Sequence, residues 1–147
     1  FIKKVVIDNH LQHHIIFEIL ESEGIESFKE VVLFIDEMKK LGCRFAIDDF
    51  GTGYSNFEYL LKLNVDYLKI DGSLIKVVHT DPNAKTIVET IQRFADSIHI
   101  ETVAEFVSDE HVYDAVCSIG VNYCQGYYFG MAEPVLTYDG GRRKNES

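Results

Sequence analysis

Tryptophan is absent from this chain, proline occurs only twice, and nothing resembles a low-complexity linker. Cysteine is scarce: Cys43, Cys117 and Cys124 are an odd number with no CxxC spacing, which argues against a disulfide framework. Cys43 and Cys124 lie beside apolar runs and are expected to be reduced, buried small hydrophobes, as in a cytosolic protein. No apolar run approaches the length of a membrane span and no signal peptide is visible, so direct membrane insertion is not expected. A parent protein could still be membrane-anchored elsewhere. Positive charge is also in short supply. Fourteen Lys and Arg face 24 Asp and Glu, giving a net charge of −10 and a pI near 4.9. Such a field repels nucleic acid and anionic membranes. A phosphate-bearing substrate fits only if bound cations reverse the sign locally.

What is present suits one domain: 147 residues, 46% of them hydrophobic, can bury a sizeable core. The chain opens at Phe1 rather than Met, which suggests an excised piece. Short apolar runs alternate with helical patterns. Strands are expected at Ile15 to Leu20, Arg44 to Asp48, Tyr67 to Ile70, Ile100 to Ala104 and Tyr123 to Gln125, as in a parallel sheet buried on both faces. Phe1 to Leu11 reads as an opening helix. Ser27-x-x-Glu30 is a capping box before an apolar face of Phe28, Val31, Val32, Ile35 and Met38, with Gly42 as the C-cap glycine. Asp81-Pro82 opens a helix with Ile87, Val88, Ile91, Phe94, Ala95 and Ile98 inward. Ser108 is expected to cap a last helix burying Val112, Ala115, Val116 and Ile119. Residues 1–136 are expected to form the folded part and 137–147 a polar tail. Five βα units belong to either a doubly wound sheet or a barrel. A whole barrel needs about 250 residues, so about three strands would be missing and two sheet edges left bare.

The polar residues fall where such folds keep their chemistry, at the C-terminal ends of strands. Glu18 and Glu21 end the first strand, Asp48 and Asp49 the second, Lys69 and Asp71 the third, Glu105 the fourth and Gln125 the fifth. Asp48-Asp49 is the most informative pair, because adjacent buried carboxylates repel unless a cation or donors compensate. Together these residues read as a divalent-metal site. Structural alternatives exist for most of them: a charge on a strand rim for Glu18, an Asx-type turn or N-cap for Asp48-Asp49, a cap of the following turn for Asp71, a counter-ion for Lys69, a loop start for Glu21, a backbone partner for Gln125. The six histidines read as surface residues.

Five segments resemble successive motifs of the EAL domain family. They are Phe17-Glu18-Ile19-Leu20-Glu21-Ser22, Asp48-Asp49-Phe50-Gly51-Thr52-Gly53-Tyr54-Ser55, Asp66-Tyr67-Leu68-Lys69-Ile70-Asp71-Gly72-Ser73, Val103-Ala104-Glu105 and Gln125-Gly126-Tyr127-Tyr128-Phe129. That family comprises cyclic di-GMP phosphodiesterases and degenerate cyclic di-GMP receptors. The resemblance implies a modified (β/α)8 TIM-like barrel and hydrolysis of one phosphodiester of cyclic di-GMP to linear pGpG with two Mg²⁺ or Mn²⁺ ions. It implies Glu18 and Asp48 as ligands of the first metal, with Asp48 bridging to a second held by Asp49 and Glu105. Lys69 would hold the attacking water or the phosphate, and Glu105 would be the general base. Glu21 would anchor the loop after Asp49. Gly51, Thr52, Asp71 and Gln125 would support that loop and the substrate. An intact domain is expected to dimerise and to stand behind a sensor or GGDEF-type domain.

Two departures from the family pattern bear on activity. The namesake Glu-Ala-Leu segment and the Asn of the strand after it, both first-metal ligands in the family, belong to sequence upstream of Phe1. The chain alone is therefore expected to be inactive. Many members also carry glycine at the position of Phe106 and glutamate at that of Ser108. The competing reading is a non-catalytic cyclic di-GMP receptor. A response-regulator receiver is excluded by strand order, since Lys69 lies on the very next strand after Asp48-Asp49.

Overall fold

A computed structural model describes residues 1–20, 28–51 and 57–131. Five strands form one all-parallel sheet in sequential order, β1 (Ile16–Leu20), β2 (Arg44–Phe50), β3 (Tyr67–Ile70), β4 (Glu101–Ala104) and β5 (Tyr123–Cys124). All five expected strands are present, each within two residues of its anticipated ends. Helices precede or link them: α1 (Ile2–Asp8), α2 (Phe28–Lys39), α3 (Phe57–Lys62), α4 (Gly72–Ile75), α5 (Pro82–Ser97) and α6 (Glu110–Ile119). The short helices α3 and α4 escaped the sequence reading because neither is long enough to show a 3.6-residue period.

One face of the sheet carries the helices. Phe17, Phe45 and Phe34 of α2 form an aromatic cluster with ring centroids 5.2–5.9 Å apart. Ile47, Leu68, Ile70 and Ala104 continue this layer against Ile35, Met38, Val88, Ile91, Val112 and Val116, all buried. Ile87 was expected on the inward face of α5 but is 44% exposed, because the buried stripe runs through Ala84, Val88, Ile91, Gln92 and Ala95 and Ile87 lies beside it. The opposite face is apolar only in part. On β1 it presents Ile16, Glu18 and Leu20, all exposed. At its lower end Arg44 donates to the Tyr67 hydroxyl at 2.7 Å, and the Tyr123 hydroxyl donates to Glu101 at 3.1 Å.

Local chemistry explains the helix ends. Gly42 adopts φ +92° where α2 turns into β2, and its N–H donates to the Lys39 carbonyl. The Asp81 carboxylate accepts from the Asn83 N–H, with Pro82 at the first helical position. Helix α6 is capped by Asp109, not Ser108: the Asp109 carboxylate accepts from the N–H groups of His111 and Val112. The Ser108 hydroxyl donates instead to Asp109 Oδ2 at 2.7 Å. A carboxylate at the positive end of the helix outcompetes a neutral hydroxyl one residue earlier. These donors hold the Asp109 carboxyl below the usual carboxylate range, Ser108 foremost. Ser27, the other expected cap, lies outside the described residues, as does the polar tail.

Candidate metal centre

Adjacent side chains of a regular strand point to opposite faces, so Asp48 and Asp49 should diverge. They do not, because β2 is irregular there. Its register against β3 runs Ile47 to Leu68 and then Phe50 to Ile70, so three steps on β2 match two on β3. That is the signature of an extra residue in the ladder. Asp49 takes up φ +57°, a left-handed conformation that Asp tolerates better than most residues. Its N–H donates to Asp48 Oδ1 at 3.1 Å. Carboxylate oxygens of Asp48, Asp49 and Glu105 thereby lie within 4.8 Å of one another.

Lys69 is the hub of this cluster. Its Nζ stands 2.9 Å from Glu18 Oε1, from Asp48 Oδ1 and from Glu105 Oε1. Strands β1, β2, β3 and the end of β4 thus each deliver one group to a single point. Burial by itself would lower the Lys69 pKa, but the hydrogen bonds it donates to the three carboxylates outweigh it and push it well above the ordinary lysine value. In this arrangement Lys69 stands as an ammonium that donates to three carboxylates. Burial raises the Glu105 carboxyl above its ordinary range, and Asp48 and Asp49 add to the rise while Lys69 opposes it. Partial desolvation, then Asp48 and Asp71, likewise raise Asp49.

The remaining expected residues are distributed around this hub. The Asp71 carboxylate caps α4, accepting from the Ser73 N–H at 2.7 Å, and it also interacts with Asp49. Gly51 has φ +107°, a backbone that side chains rarely adopt, and a Cβ there would press on the end of the Leu74 side chain, 2.6 Å from its Cδ1. Gln125 follows β5. Its backbone bridges Ala104 and Val107, and the residue lines a 360 Å³ cavity with Glu105, Lys76, Phe106, Ser108, Gly126 and Tyr127. Glu21 and Thr52 lie outside the described residues. All six histidines are exposed. A larger cavity of about 910 Å³ opens at the opposite, N-terminal end of the strands, beside Lys39, Arg44, Asp66 and Tyr67. There Lys39 pairs with Asp66 at 2.8 Å and Arg44 donates to the Tyr67 hydroxyl.

The donor set fits a hard divalent cation. It consists of carboxylate oxygens without thiolate or imidazole, the preference of Mg²⁺, Mn²⁺ and Ca²⁺. The Lys69 ammonium within it shows that the carboxylates are arranged to surround positive charge.

The EAL domain model matches residues 1–132. The chain belongs to the EAL domain family. The cyclic di-GMP phosphodiesterase PdeB of Shewanella oneidensis is 40% identical over 122 residues, covering 83% of this chain and 14% of that protein. The solved PaMucR phosphodiesterase in complex with cyclic di-GMP superposes with a TM-score of 0.83 at 29% identity, covering 91% of this chain and 55% of that one. The Klebsiella pneumoniae BlrP1 complex with manganese and cyclic di-GMP gives 0.78 at 27% identity, covering 86% and 32%. The chain therefore spans a little over half of the solved PaMucR chain and 14–18% of three curated relatives. The parallel five-strand sheet is part of an EAL TIM barrel.

Proposed function

We propose that this chain is the C-terminal part, residues 1–136, of an EAL domain that hydrolyses cyclic di-GMP to linear pGpG. The observation that carries this reading is the convergence of Glu18, Asp48 and Glu105 on Lys69, with the Asp49 carboxylate alongside. In this reading Glu18 and Asp48 would hold one divalent ion, and Asp48 and Asp49 would hold a second, with Glu105 beside it. Bound there, such ions would supply an acidified water and positive charge to stabilise the phosphate. Mg²⁺ and Mn²⁺ both suit the donors. Neutralised carboxylates also let an acidic chain accept a dianionic substrate.

The chain's own residues supply the rest. Glu105, held by Lys69 through Oε1 and placed beside the second ion, is assigned as the general base for the attacking water. Lys69 keeps its proton, so it orients carboxylates, water or a phosphate oxygen as a donor only. Gln125 and the cavity beside Glu105 give the nucleotide a wall to rest against. Asp71 and Gly51 support the segment that leads into the loop after Asp49. Glu21 and Thr52 are assigned to the same support.

The first ion's ligand set is incomplete in residues 1–147, so the chain alone is proposed to be inactive. In a longer chain carrying the preceding strands, Asp48→Asn is expected to abolish Mn²⁺-dependent conversion of cyclic di-GMP to pGpG. Turnover near the wild-type level would remove Asp48 from the reaction. A non-catalytic receptor role is favoured by Ser108, which stands where many members have glutamate and is tied to the α6 cap. Binding of cyclic di-GMP by the longer chain without pGpG formation would decide for the receptor. We further assign the domain to the cytoplasm, to a homodimer, and to a parent with a sensor or GGDEF-type module.

A further inference from the structure

The residue after Glu105 is out of character for its conformation. Phe106 has φ +56°, a left-handed backbone that a bulky side chain rarely adopts. Its ring is half exposed at 52%, so burial alone does not hold it. What holds it is a seat. A Cβ at Gly72 would lie 2.3 Å from Phe106 Cδ2 and 2.8 Å from Cγ, so the ring rests directly on the glycine backbone. The Lys76 ammonium stands 4.4 Å from the ring centroid, a cation–π contact. The ladder gives Glu105 little support of its own, since its N–H reaches the Ile70 carbonyl at only 3.4 Å.

Both ends of this contact belong to the metal centre. Gly72 follows Asp71, which interacts with Asp49. Phe106 follows Glu105, whose carboxylate is bound to Lys69. We propose that Phe106 is a positioning residue: its ring, seated on Gly72 and faced by Lys76, sets the spacing between Glu105 and the Asp48-Asp49 pair. The functional consequence rests on the metal-centre reading above; the positioning itself does not. Residue 72 must then lack a side chain for as long as residue 106 carries a ring. Wedging the ring away from residue 72 would pull Glu105 off Lys69 and widen the carboxylate cluster.

The test is a double-mutant cycle on the 147-residue chain, using Gly72→Ala, Phe106→Gly and the pair together. Glycine at 106 keeps the left-handed backbone available while removing the ring. The first readout is the Glu105 side-chain carboxyl and Lys69 Cε signals by ¹³C NMR in metal-free protein. Gly72→Ala is expected to move both signals. The same methyl added to Phe106→Gly is expected to leave them where Phe106→Gly placed them. Equal movement in both backgrounds, or none in either, overturns the proposal.

The second readout is Mn²⁺ affinity by calorimetry. Groups that orient metal ligands are worth about tenfold or more in affinity, so Gly72→Ala is expected to cost that much in the wild-type background and little beside Phe106→Gly. If the wild-type chain takes up no Mn²⁺, the metal reading fails for this chain, and the NMR comparison still decides the positioning. Should Gly72→Ala fail to fold by circular dichroism, Phe106→Gly alone is decisive. Displaced Glu105 and Lys69 signals in a folded protein support the proposal, and unmoved signals end it.

Discussion

Removing the Lys69 ammonium would leave Glu18, Asp48 and Glu105 facing one another with no compensating charge. Breaking a buried ion pair costs about 3–5 kcal/mol. Half the Glu18 side chain is exposed, so Lys69→Met is expected at or below the lower end of that range by urea denaturation. Mn²⁺ is expected to restore part of the loss, and an identical loss with and without Mn²⁺ would count against the metal centre. The sign of the pH dependence follows from the raised lysine pKa. The Lys69 contribution is fully present below its ordinary value of 10.5 and disappears as pH rises through the higher folded value. Glu105 has the opposite consequence. Its carboxyl is raised above 4.5, so ionising it in the folded state costs stability once pH exceeds that value. Glu105→Gln is therefore expected to stabilise the metal-free chain at pH 7 relative to wild type, with the advantage vanishing near pH 4. A loss of melting temperature at pH 7 equal to that at pH 4 would contradict this account.

At the scale of elements, helix α6 and strand β5 offer two tests. Asp109 accepts from two backbone N–H groups of α6, so Asp109→Ala is expected to lower the melting temperature measurably. Asparagine caps nearly as well but does not titrate. Asp109→Asn is therefore expected to keep most of the stability at neutral pH. It should also lose the acid sensitivity that wild type shows as pH falls below 3.8 through the depressed folded value. The three thiols also differ by element. Cys43 is buried at the start of β2 and its pKa is raised by burial. Cys124 on β5 is pushed up to about 11, mainly by burial and then by Cys117. Cys117, on α6 beside Cys124, is exposed. A thiol-modifying reagent such as Ellman's is expected to label Cys117 first in the native protein, with Cys43 and Cys124 following only on unfolding. Rapid labelling of Cys43 would show that the β2 end of the core opens readily.

For the whole molecule, the decisive fact is that five parallel strands do not close a barrel. Among the described residues β1 and β5 are sheet edges, and Ile16 and Leu20 face outward on β1. The solved EAL domain is about twice as long as the matched region. A chain extended by about 100 preceding residues, the shortfall from a typical barrel, is expected to cover that face. Binding of the hydrophobic dye ANS should fall and conversion of cyclic di-GMP should appear on extension. Comparable turnover by the 147-residue chain would show that the missing ligands are dispensable or come from a second copy.

The sequence alone determined the order and type of the five strands, because buried parallel strands read as short apolar runs with glycine, proline and acidic punctuation. It also determined which residues stand at the strand ends, and through five motifs the family. It did not show that Asp48 and Asp49 point the same way, since strand periodicity puts neighbours on opposite faces. Only the extra residue in β2 and the left-handed Asp49 decided that. Nor did it show that Lys69 would be shared by three carboxylates from three different strands, or that Phe106 would sit on Gly72. Those contacts join residues far apart in the chain. Their geometry follows from sheet register and helix packing, which no local pattern encodes.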